Sequence, residues 1–67
     1  MKSNGEKKIW VNIARYLELR GETIATLSDK CGVTRQAIYL IKKRGTANST
    51  TLIKIAAALE TEVSMLV

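Results

Sequence analysis

The chain has 67 residues, enough for one domain and no more, and a chain this short buries only about 60% of its unfolded surface. One cysteine excludes an internal disulfide, and one cysteine with no histidine leaves almost no zinc site. Eleven Lys and Arg against six Asp and Glu give a net charge of +5, which favours polyanionic partners. No apolar run is long enough to span a membrane and no signal-peptide pattern appears, so a cytoplasmic location is expected. Residues 1–8 are polar and glycine-containing and read as a flexible N-terminal arm. Ser3-Asn4-Gly5-Glu6 has the form of a capping box, weakened by Gly5 in the first turn. Residues 9–67 are expected to form the folded domain.

The first helix is predicted from about Lys7 to Arg20. Ile9, Ile13, Tyr16 and Leu17 recur at three- and four-residue spacing, with Trp10 at the stripe's edge, and Gly21 ends the helix. Tyr16 lies on the stripe and belongs to the core. Trp10 is either a lid over the core or part of a subunit contact, with the lid favoured. Thr23 caps a second helix, Ile24 to Cys31, with Ile24, Leu27, Ser28 and Cys31 on one face. Cys31 reads as a small hydrophobe turned inward. Gly32 takes the left-handed turn, Val33 packs inward, and Thr34 caps a third helix from Arg35 to about Lys43. There Ala37, Ile38 and Ile41 form the apolar stripe, leaving Arg35, Gln36, Tyr39, Leu40 and Lys43 facing away.

Two short helices joined by a glycine turn, the second with a polar basic face, make a helix-turn-helix. Leu27-Ser28, Gly32-Val33, Ile38 and Ile41 resemble the signature of the phage Cro and repressor family of DNA-binding domains. That family mostly has alanine where Ser28 stands, because the two helices cross closely there, and serine is small enough to keep the crossing. Two departures stand out. Many members carry at the position of Ile24 a glutamine that touches the phosphate backbone. The family also tends to have an acidic residue at the position of Lys42 and a proline in the following loop, and this chain has neither. The resemblance implies an all-α, compact five-helix repressor-like fold.

Lys42-Lys43-Arg44 lead into Gly45 and a polar loop with Thr46, Asn48 and Ser49. Positive charge suits the C-terminal end of a helix, but three consecutive cations exceed what the dipole requires, and phosphate binding is favoured. Asn48 caps a fourth helix, Ser49 to Leu59, with Leu52, Ile55, Ala56 and Leu59 inward and Ile53 beside them. A fifth, short helix is expected from about Glu62 to Leu66. Its Val63, Met65, Leu66 and Val67 supply more apolar surface than one turn can tuck under itself, and in the resembled family this segment often forms the dimer contact.

No histidine, phosphate-binding glycine loop or convergent carboxylate pair supports an enzyme, and no cofactor or small-molecule ligand is expected. Carried over to this chain, the resemblance implies a sequence-specific transcriptional regulator, a minimal Cro-like repressor without a sensor domain. The third helix would enter the major groove as one half of a homodimer on a near-palindromic double-stranded operator. Arg35, Gln36, Tyr39 and Leu40 are the expected base contacts: Arg35 forks onto guanine, with a phosphate contact as its alternative, Gln36 pairs with adenine and Leu40 meets a thymine methyl. Thr23, Thr34, Lys42, Lys43, Arg44, Thr46 and Asn48 are the expected phosphate contacts. Lys2, Lys7 and Lys8 leave open an arm that also reaches DNA. A restriction-system controller or antitoxin-type regulator would share the fold. A protein-interaction module binding through Leu40, Ile53 and the C-terminal stripe is the competing class, and it would show no salt-sensitive binding to duplex DNA.

Overall fold

The computed structural model describes residues 8–67. Lys2, Lys7 and the capping box at residues 3–6 lie outside the described residues, and Lys8 opens the first helix. Four α-helices follow: α1 (Lys8–Arg20), α2 (Ile24–Cys31), α3 (Arg35–Arg44) and α4 (Ser49–Ala58). The side chains of Thr23, Thr34 and Asn48 each accept a hydrogen bond from a backbone N–H in the first turn of α2, α3 and α4, so three of the four helix starts are fixed by a single residue. Helix α3 continues one residue beyond the expected Lys43, and α4 stops one residue before Leu59, which becomes its C-cap.

The expected fifth helix is replaced by a 3-10 turn, Val63–Met65. The described residues therefore hold four α-helices. A new helix must fix several residues before its first hydrogen bond forms, and Glu62 at the cap position offers no side-chain bond to help. The chain upstream is also stopped firmly. Thr61 N–H donates to the Ala56 carbonyl (2.9 Å) and Glu60 N–H to the Ala57 carbonyl (3.1 Å), the paired bonds of a Schellman stop. Glu60 holds the left-handed position there at φ 58°, where glycine is usual and another residue costs about 1–2 kcal/mol.

The core is drawn from every element: Ile13 and Leu17 from α1, Leu27 from α2, Ile38 and Ile41 from α3, Leu52, Ile55 and Ala56 from α4, then Leu59 and Leu66. Ile9, Trp10, Tyr16, Ile24, Cys31 and Val33 are half-buried against it, so Trp10 covers the core in the manner of a lid. Leu66 corrects its expected role. It is fully buried within the monomer, and Asn12 Nδ2 donates to its carbonyl at 2.9 Å, so it offers no surface to a second subunit. Val63 likewise packs on the core. Met65 and Val67 stay outside, 56% and 50% exposed. One turn divides its apolar residues between inside and outside, and periodicity over so few residues cannot say which goes where. Thr61 Oγ1 donates to the Tyr16 hydroxyl at 3.1 Å, a second tie between α1 and the last segment.

Glu22, between α1 and α2, joins the helix ends. Its Oε2 accepts from Lys30 Nζ at 2.7 Å and from Arg20 Nε at 3.1 Å, and Arg20 Nη1 reaches Glu60 at 3.2 Å. The Glu22 side chain is 10% exposed, and its Oε1 is buried with no hydrogen-bond partner among the described residues. The Lys30 ammonium, and after it Arg20, hold this carboxyl below the ordinary 4.5 against the opposing effect of burial.

Two outcomes are expected. Ile38→Ala and Leu66→Ala should each lower unfolding free energy by about 2–5 kcal/mol through lost burial and the cavity left behind, whereas Met65→Ala should change it by less than about 0.5 kcal/mol. Urea titrations of the three variants check the division of the last turn into core and surface. The second outcome concerns acid. A carboxyl depressed by folding contributes stability that is complete above its unfolded value near 4.5 and is lost as pH falls through the lower folded value. Wild type should therefore lose its stability advantage over Glu22→Gln as pH drops below that value. A constant gap between the two unfolding curves from pH 6 to pH 3 would show that Glu22 carries no such linkage.

Candidate nucleic-acid interface

The turn between α2 and α3 sets what α3 presents. Thr23 Oγ1 accepts from Thr26 N–H at 3.3 Å, while Thr26 Oγ1 accepts from Thr23 N–H at 2.9 Å, a reciprocal box with threonine where glutamate is more usual. At the other end of α2, Gly32 turns left-handed at φ 72° and its N–H donates to the Ser28 carbonyl at 3.0 Å. A side chain there would meet no neighbour within 4 Å, so the requirement for glycine comes from backbone conformation alone. Thr34 then restarts the helix, its Oγ1 accepting from Ala37 N–H at 3.1 Å.

Helix α3 is held by Ile38 and Ile41, with Ala37 half-buried beside them. Three and four residues bring a helix back to the same face, so these anchors force Arg35, Gln36, Tyr39, Leu40 and Lys43 together on the other side. All five are exposed, Tyr39 at 53% and Leu40 at 45%. Lys42 and Arg44 flank this face and are also exposed. The candidate base and phosphate contacts of α3 therefore form one continuous surface.

The loop after α3 extends it. Gly45 N–H donates back to the Ile41 carbonyl, and Thr46 and Asn48 are exposed. A shallow cavity of about 180 Å³ lies between helix and loop, lined by Leu40, Ile41, Arg44, Ala47, Asn48 and Thr51. Asn48 Oδ1 accepts from Thr51 N–H at 2.8 Å, but its amide N–H groups remain as donors. The hydroxyls of Thr23 and Thr34 are acceptors in their caps and keep their own O–H for a further partner. Capping therefore orients these three side chains without exhausting them.

The charge is segregated. From Lys30 to Leu59 the chain carries Lys30, Arg35, Lys42, Lys43, Arg44 and Lys54 and no acidic residue. From Lys8 to Asp29 three basic residues meet three acidic ones, and Glu60 and Glu62 follow the acid-free stretch. Lys30 is engaged with Glu22, whereas Arg35, Lys42, Lys43, Arg44 and Lys54 make no ion pair among the described residues. Lys54, exposed on α4, stands ten positions beyond the basic run and belongs to no motif, and the absence of acids from Lys30 to Leu59 is the signal that marks it. A surface of this kind attracts polyanions at long range and keeps its cations available for contact.

The family model described as "Helix-turn-helix" matches residues 13–66. No curated protein and no solved structure matches the chain at a significant level.

Proposed function

The chain belongs to the Cro/repressor-type helix-turn-helix family of DNA-binding transcription regulators, and on that premise we propose that it is a sequence-specific, Cro-like repressor reading the major groove with α3. The observation that carries the proposal is the exposed face of α3, where Arg35, Gln36, Tyr39 and Leu40 stand between the capped turn and the Lys42-Lys43-Arg44 run. The major groove is wide enough for a helix and distinguishes every base pair. Gln36 suits adenine through its amide, Arg35 suits guanine through its fork, and Leu40 suits a thymine methyl. Lys42, Lys43 and Arg44, with Thr23, Thr34, Thr46 and Asn48, are assigned to the phosphate backbone, where they set register without reading sequence.

Two functions are thereby divided along one helix, and substitution separates them. A phosphate contact releases condensed counterions whatever the sequence, so Lys43→Ala should weaken selected and scrambled duplexes alike and reduce the salt slope by about one unit. Gln36→Ala should lose about 1–3 kcal/mol on the selected duplex and almost nothing on the scrambled one. The duplex is first selected from a random library, and both are titrated at several salt concentrations. Equal losses for Gln36→Ala on the two duplexes would remove α3 as the reading element.

The proposed assembly is a weak symmetric dimer, which brings two copies of α3 about 34 Å apart on a near-palindromic site. With Leu66 in the core and Val63 packed on it, the apolar surface proposed for the contact reduces to Met65 and Val67. Sedimentation at increasing concentration, free and with DNA, should show association in wild type and less of it in Met65→Asp. A monomer under both conditions would sink the dimer.

A further inference from the structure

Ser28 is half-buried near the end of α2, and its hydroxyl does something alanine cannot. A helical serine commonly bonds back to a carbonyl of its own helix. Here the hydroxyl reaches forward out of α2 and donates to the Val33 carbonyl at 2.7 Å, in a partly buried setting. The Ser28 carbonyl also accepts from Gly32 N–H at 3.0 Å. One residue thus grips the turn at two successive points.

The Val33 carbonyl belongs to the peptide that leads into Thr34. Fixing that carbonyl fixes the plane of the peptide, and with it the backbone of the residue whose hydroxyl caps α3. Arg35 and Gln36 follow immediately as the first two residues of the helix. Long, single-point lysine contacts tolerate a small rotation of α3, whereas a bidentate base contact depends on geometry. We infer that Ser28 is a positioning residue for sequence discrimination: its hydroxyl clasp on Val33 sets the direction in which α3 leaves the turn. This rests on the reading of α3 as the recognition element and names the residue that aims it.

The test is Ser28→Ala, which removes one oxygen and introduces a better helix former. Affinity for the selected duplex should fall roughly tenfold, the scale of one lost hydrogen bond. Affinity for scrambled duplex and the salt slope should stay as in wild type. In the free protein, amide exchange at Ala37 and Ile38, which donate to Thr34, should accelerate, while Leu59, which donates to Ile55, should not. Unchanged discrimination, equal loss on both duplexes, or unchanged exchange at Ala37 and Ile38 each overturns the inference while leaving the reading of α3 intact. A wild type with no sequence preference overturns the reading itself, and with it the service claimed for Ser28.

Discussion

The face that α3 presents is held through two side chains, Ile38 and Ile41. Helix α3 has ten residues, seven of them exposed, and a helix that polar has no reason to stay formed in water alone. Its anchorage comes from burying these two isoleucines in the core shared by all four helices. The Thr34 cap fixes the start and the left-handed Gly45 fixes the end. The same helical period that turns the isoleucines inward turns Arg35, Gln36 and Tyr39 outward. Core packing and surface presentation are therefore one constraint seen from two sides.

Electrostatics follow the same division. Two acidic side chains are engaged near helix ends away from α3: Glu22 binds Lys30 and Arg20, and Glu60 meets Arg20 across 40 positions of sequence. These pairs tie α1, α2 and the end of α4 together. They also remove carboxylates that would otherwise neutralise the basic surface. Arg35 and the Lys42-Lys43-Arg44 run are left with water as their competing partner, an arrangement that costs little until a polyanion displaces the counterions.

The sequence made the elements legible wherever a residue type has one dominant physical use. Thr23, Thr34 and Asn48 are good caps in any context, Gly32 marks a left-handed turn, and the three- and four-residue spacing of Ile13, Leu17, Leu52 and Ile55 names the core. The exposed face of α3 followed from the same periodicity. What stayed hidden depends on neighbours distant in sequence. Glu60 in a glycine's conformation carries no composition signal, because the Schellman bonds impose it. Ser28 was legible as a small residue but not as a donor, since Val33 becomes its acceptor only after Gly32 has turned the chain. Leu66 was read as surface because one apolar turn looks the same whether it faces a partner or its own core. Its side chain joins the core, and Asn12, 54 positions earlier, holds its carbonyl.

That last contact has a consequence for how the molecule comes into being. Ile13 and Leu66 share one core, so a chain made from its N-terminus exposes the stripe of α1 first and supplies its final neighbours last. Helix α2 packs on both α3 and α4, so that part of the fold closes only once α4 is present. Helix α1 must wait until residue 66 has left the ribosome before its apolar face is fully covered. The surface that reads as finished in α3 thus rests on a fold whose first helix is the last to be sealed.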